Sequence, residues 1–197
     1  MSPFVLFIKM AHMAGSADNE FQLIEKSLSG DPEAYAMLVD QYRIMIQAVV
    51  FRMTGSYQDA EELTQDAFLR GYHELRSFKR DSKFSSWLYQ IAVNLSLDWR
   101  RRENRRESIR QQWAAETMAD KGSDVVFPDE ISHRLQESLK YLPAKQRAAI
   151  VLTAYENQTH AEAAKTLGCT EATISWRLFA ARRKLKRILK GITHDQL

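Results

Sequence analysis

Apolar residues recur at intervals of three and four along almost the whole chain, and no stretch alternates with period two over the length of a strand. Such a pattern admits helices with one apolar stripe each and little else, which points to an all-α fold. The punctuation agrees. Asp31-Pro32-Glu33 has the form of a helix cap, a first-turn proline and a first-turn acid, and Pro143 opens a further apolar segment. Helices are expected over 20–29, 32–54, 57–75, 83–106, 129–141, 143–155, 160–167 and 171–190. Residues 1–19 read as a loose tail in which Met10 or Met13 could equally be the true start. Between 108 and 128 the periodicity dissolves into polar residues around a Gly-Ser pair, the composition of a flexible linker. Two small helical domains follow, 20–107 and 129–192.

A chain of 197 residues, 45% hydrophobic, can bury a core in each half. Net charge is only +3, so the position of the charge carries the information. Six arginines crowd the segment from Arg100 to Arg110, a second cationic run extends from Arg177 to Lys190, and Asp59, Glu61, Glu62 and Asp66 form an acidic island. Clusters of opposite sign imply more than one charged partner. Cys169 is the sole cysteine, which excludes an internal disulfide and a cysteine-built zinc site and suits a reducing cytoplasm. The apolar run 4–8 is too short to span a bilayer and lacks the form of a signal peptide, so no membrane insertion is expected.

The basic end has internal logic. Thr159 and Glu162 make a capping box at a helix start, Gly168 supplies a left-handed turn, and Thr170 can cap the next helix. A short helix, a tight turn and a longer helix form the helix-turn-helix layout. In the longer helix Ile174, Leu178, Ala181, Leu185 and Ile188 or Leu189 fall on one face and pack inward, leaving Glu171, Ala172, Ser175, Trp176, Phe179, Arg182, Arg183 and Lys186 facing out. Residues near the start of such a helix can enter a major groove, while cations further along neutralise phosphates. A merely solvated cationic face is the plainer reading of a charge run. The coincidence of cap, turn, stripe and cations in one segment favours DNA. Trp176 and Phe179 are equally open to packing or groove contact.

Two helices in the first half carry other surfaces. Ala60, Leu63, Ala67, Gly71, Leu75 and Phe78 form an inward stripe, beside which Asp59, Glu62, Gln65, Asp66 and Leu69 share a more exposed acidic face. Phosphates repel such a face, so it suits a basic protein surface; taken alone, it also reads as a solvated first turn with dipole-stabilising acids. In the next helix Phe84, Leu88, Ile91, Leu95 and Trp99 form the core stripe. Trp87, Gln90, Asn94, Asp98, Arg101 and Arg105 lie on the adjacent face, next to the basic loop 79–83. An aromatic, amides and cations together suit single-stranded nucleic acid, although a tryptophan next to a core stripe is often simply buried. No nucleophile-and-base pair, phosphate-cradling glycine loop or metal-spaced ligand set occurs, so neither catalysis, cofactor nor metal is expected.

These segments together resemble the sigma-70 family of bacterial RNA polymerase sigma factors, in particular its extracytoplasmic-function (ECF) group. Residues 59–102 are similar to that family's region two, and the segment from Leu142 to Arg187 is similar to region four, in the family's order and spacing. The resemblance implies that Asp59, Glu62, Gln65, Asp66 and Leu69 bind core RNA polymerase through the coiled coil of its beta-prime subunit, the beta subunit being a further contact. It implies that Lys79, Arg80, Lys83, Trp87, Gln90, Asn94, Asp98 and Arg101 recognise the minus-ten element on the opened non-template strand. Thr170, Glu171, Thr173, Ser175, Trp176, Arg177, Phe179, Arg182, Arg183 and Lys186 would read the minus-thirty-five element as promoter DNA duplex. An anti-sigma factor is implied as a further partner. Here Ser175 and Trp176 precede Arg177, where the family commonly has a basic residue and then serine, and Ala180 stands where a further arginine is frequent. From another class, a two-domain helix-turn-helix regulator binding an operator without core polymerase is the alternative.

Overall fold

The computed structural model describes residues 17–113 and 130–194, and among them every regular element is helical. The first module comprises α1 (Ala17–Leu28), α2 (Pro32–Thr54), α3 (Tyr57–Glu74), a 3-10 turn (Leu75–Ser77) and α4 (Phe84–Trp113). The second comprises α5 (Glu130–Lys140), α6 (Ala144–Ile150), a π turn (Val151–Tyr155), α7 (His160–Thr166) and α8 (Glu171–His194).

Local chemistry sets the boundaries. Asp31 caps α2, its Oδ1 accepting from the amides of Glu33 at 2.9 Å and Ala34 at 3.2 Å, with Pro32 in the first turn. Gly55 closes the same helix in the left-handed conformation, φ 79°, and Ser56 at once caps α3 through the amide of Asp59. The π turn ends the helix expected over 143–155. α4 runs seven residues past the expected end at Arg106, into the polar segment expected to begin the linker. Those added turns carry side-chain pairs in place of an apolar stripe: Arg106 with Glu103 at 3.5 Å, and Arg110 with Glu107 at 3.2 Å. The rest of the expected linker, 114–128, and residues 1–16 of the expected tail lie outside the described residues, whereas the last three tail positions, 17–19, belong to the first turn of α1.

Helix α2 is the hub of the first module. Its Leu38, Ile46, Val49 and Val50 are buried against Ala60, Leu63 and Ala67 of α3 and Phe84, Leu88 and Ala92 of α4. Gly71 permits a close crossing, because a Cβ there would lie 2.9 Å from Oη of Tyr35, whose hydroxyl donates to the carbonyl of Phe68 at 2.6 Å. In the second module Ile174, Leu178 and Ala181 of α8 pack on Ala148, Leu152 and Ala163, as the stripe requires.

The capping box of α7 forms as expected, with Glu162 accepting the Thr159 amide at 2.8 Å and the Thr159 hydroxyl accepting the Glu162 amide at 3.2 Å. Thr159→Ala is expected to lower the thermal stability of this module by about 1 kcal/mol. The Thr159 amide, and then its hydroxyl, hold the Glu162 carboxyl below its ordinary value of 4.5. A depressed carboxyl stabilises the folded chain fully above that ordinary value and loses its contribution as pH falls through the folded one. Melting curves between neutral pH and pH ~3 should therefore converge for wild type and Glu162→Gln.

The modules also touch. Arg147 of α6 is buried to 1% exposure, and its Nη1 donates to the carbonyl of Met53, at the C-terminal end of α2, at 2.6 Å. Tyr89 donates to Glu156 at 2.6 Å, and Arg52 lies 3.8 Å from the same carboxylate and 4.4 Å from the centre of the Tyr155 ring.

Candidate functional site

Three surfaces collect the residues singled out from the sequence. On α3, Glu62, Gln65, Asp66 and Leu69 are exposed, Leu69 to 61%. No ion pair among the described residues uses Glu61, Glu62 or Asp66, so this face presents unneutralised carboxylates around one bare leucine. Asp59 differs from its neighbours. It is half-buried, and its Oδ1 accepts from Nε1 of Trp99 at 3.2 Å, which ties the start of α3 to α4.

The second surface is the loop 79–83 with the exposed face of α4. Arg80 takes a left-handed conformation, φ 57°, pairs with Glu25 and lies over the ring of Phe21, both on α1, so the loop is anchored to the rest of the module. Lys79 and Lys83 remain exposed. Trp87 lies 5.5 Å from both Phe78 and Phe84, ring centre to ring centre, and is half-buried, so it is neither wholly core nor wholly exposed. Beside it, a cleft of about 370 Å³ is lined by Lys79, Gln90 and Asn94 among others. Further along α4, Asp98 and Arg101 form a salt bridge with each other at 3.2 Å.

A neighbouring cleft of about 350 Å³ has Lys83, Trp87 and Gln90 on one side and Ala161, Glu162 and Lys165 of α7 on the other. Asp81 and Lys165 bridge its rim at 3.0 Å, and that hydrogen bond holds the Asp81 carboxyl below the ordinary range. Nothing in the sequence pairs these two residues. They lie more than 80 positions apart, and the contact follows from how the modules pack.

The third surface is α8. Thr170 caps it, its hydroxyl accepting the amide of Thr173 at 3.2 Å and meeting the Thr173 hydroxyl at 2.9 Å. The turn before it uses Gly168 at φ 57°. Trp176 and Phe179 are 63% and 64% exposed, so packing does not account for either. Glu171, Arg182, Arg183 and Lys186 are also exposed. Ser175 lies 3.1 Å from Nδ1 of His160, a neighbour the sequence reading did not place at this surface. Arg177 is half-buried and donates to Sγ of Cys169 at 3.4 Å, which accounts for the lone cysteine as a partner within the turn.

Comparison with known proteins bears on the whole arrangement. The family model for Sigma-70 region 2 matches residues 38–106, and that for Sigma-70, region 4 matches residues 132–185. The ECF RNA polymerase sigma factor SigW of Bacillus subtilis is 31% identical over 183 residues, covering 86% of this chain and 96% of that protein. The RNA polymerase sigma-H factor of Pseudomonas aeruginosa is 27% identical over 188 residues, covering 90% and 97%. Among solved structures, CnrH in complex with the cytosolic domain of CnrY superposes with a TM-score of 0.65 at 25% identity, over 88% of this chain and 98% of that one. The sigma factor RpoE in complex with the anti-sigma factor NepR from Bartonella quintana shares the fold, with a TM-score of 0.64 over 79% of this chain and 96% of that one. With both regions matched in order and a relative aligned over nearly its full length, the chain belongs to the ECF group of the sigma-70 family, the RNA polymerase subunits that direct promoter-specific initiation.

Proposed function

We propose that the three surfaces divide the work of this sigma factor. The acidic face of α3 (Asp59, Glu62, Gln65, Asp66 and Leu69) docks core RNA polymerase, the loop 79–83 with α4 captures the opened minus-ten strand, and α8 reads the minus-thirty-five duplex. The observation that carries this reading is the segregation of charge: unneutralised carboxylates on one module, exposed cations on the recognition helix of the other. Carboxylates repel phosphate, so the α3 face is suited to protein and α8 to DNA. The chain supplies binding and strand capture while the polymerase performs the chemistry. Trp87, half-buried beside Phe78 and Phe84 and lining both clefts, offers a stacking platform for an unstacked base. Trapping such bases offsets an unpairing cost of a few kcal/mol.

Both DNA-reading surfaces cannot serve one promoter in the arrangement observed. Asp81 of the loop reaches α7, and α7 in turn reaches α8 through His160 and Ser175, so one seven-residue helix separates the two surfaces. The two promoter elements are about 25 base pairs apart, or about 85 Å of B-form duplex. The modules therefore part when the chain engages polymerase and promoter. An anti-sigma factor that holds them together fits the same logic, since the solved RpoE of Bartonella quintana is in complex with the anti-sigma factor NepR. Among the described residues no helix is long and apolar enough to cross a membrane, in keeping with work beside cytoplasmic polymerase.

Co-sedimentation of the full chain with core polymerase, followed by footprinting on host promoter fragments, tests this division. The expected result is protection of both elements only when core and chain are present together. Tight protection of a duplex operator by the chain alone, with no affinity for core, would return the operator-binding regulator. Neutralising Arg182 or Arg183 should flatten the salt dependence of holoenzyme binding by about one counterion each. An unchanged slope would make that residue a solvated one.

A further inference from the structure

We infer that α8 reads its duplex mainly through the 5-methyl groups of thymine, with Phe179 and Trp176 as the specificity-determining side chains. This readout rests on the assignment of α8 to the minus-thirty-five duplex and adds how the bases are told apart.

In a major groove, bases are distinguished by hydrogen bonds to their edges or by apolar contact with the thymine methyl. The start of α8, residues 171–179, is depleted in free hydrogen-bonding groups. Ser175 is already engaged with His160 at 3.1 Å. Arg177, the one arginine in those turns and the natural partner for guanine, is half-buried and tied to Cys169. Thr170 and Thr173 satisfy one another at the cap. What remains free is Glu171, the small Ala172 and the two aromatics at an i, i+3 spacing, each more than 60% exposed.

Charge complementarity names the occupant of this aromatic ridge. Phe179 stands between two shallow clefts of about 240 and 300 Å³; Arg183 borders both, Arg187 borders the first, and Arg182 and Lys186 border the second. None of these four cations joins an ion pair among the described residues. An apolar ridge between unneutralised cations matches a groove floor of methyl groups between two phosphate walls, and it repels a basic protein.

The test uses holoenzyme reconstituted from core polymerase and the full chain. Promoter libraries randomised over the upstream element are prepared in two forms, one with thymidine and one with deoxyuridine, which lacks only the 5-methyl group. Selection from the thymidine library should enrich T·A pairs at adjacent upstream positions. Rebuilding the selected duplex with deoxyuridine should weaken binding about fourfold per methyl contacted, the value of one buried carbon. Trp176→Ala combined with Phe179→Ala removes only exposed side chains; it should erase the difference between the two forms and leave the salt slope unchanged. Equal binding of both forms of an enriched upstream motif would overturn methyl readout while leaving duplex reading intact. Failure to enrich any upstream motif would overturn both. If the double variant loses transcription yet still discriminates the two forms, the aromatics belong to a protein interface and the inference fails.

Discussion

Replacing Glu62 and Asp66 together by lysine is expected to abolish association with core RNA polymerase at working concentrations while leaving the fold of the recognition helix intact. Both side chains are exposed on the same face of α3 and neither has an ionic partner among the described residues. Substitution therefore disturbs no internal contact, and melting should change by no more than about 0.5 kcal/mol. Against a basic docking surface, each substitution turns an attraction into a repulsion. Like-charge juxtaposition at an interface costs several kcal/mol, so a loss of about 1,000-fold in affinity is expected from the pair. Titration of labelled chain with core polymerase measures it directly. Asp59 serves as the internal contrast. Because its carboxylate also holds Trp99, Asp59→Lys should lower stability as well as core binding.

Arg147 carries the second large effect. Its guanidinium reaches from α6 to the end of α2, where the last carbonyls of a helix lack intrahelical donors. Among the described residues only Nη1 finds a partner, while Nε and Nη2 are buried without one. Burial, reinforced by the charge of Arg100, pulls the pKa down to about 10. Two unmet donors set against one short hydrogen bond make this a contact that holds the modules together without locking them. Arg147→Ala should remove the bond, leave a cavity and lower stability by about 2–3 kcal/mol. Arg147→Met keeps the bulk and removes the unmet donors, and should recover more than half of that loss. Chemical denaturation reports the stability, and small-angle scattering reports how far the modules separate. Loosened modules with unimpaired promoter-directed initiation are expected from the methionine variant.

Much of this was legible in the residues because the signals are local. Asp31-Pro32-Glu33, the Thr159–Glu162 box, Gly168 and the stripes through α3, α4 and α8 each depend on neighbours within a few positions, and each forms as expected. The extension of α4 to Trp113 escaped a reading based on apolar periodicity, since charge pairing at three-residue spacing sustains it; the alternation of glutamates and arginines in 103–110 was the available sign. The contacts between modules had no local sign. Tyr89 with Glu156 and Arg147 with Met53 join positions 67 and 94 apart, and only the packed structure brings them together. For the same reason the withdrawal of Arg177 to Cys169, and the pairing of Ser175 with His160, could not be read from a helical wheel.

The most direct measurement is initiation by the host's core RNA polymerase, freed of other sigma factors, on a genomic promoter library with and without the full chain. Start sites that appear only when the chain is added, that share an upstream and a minus-ten motif, and that vanish with the Glu62 and Asp66 lysine variant are the expected result. The same transcripts with and without the chain would contradict it.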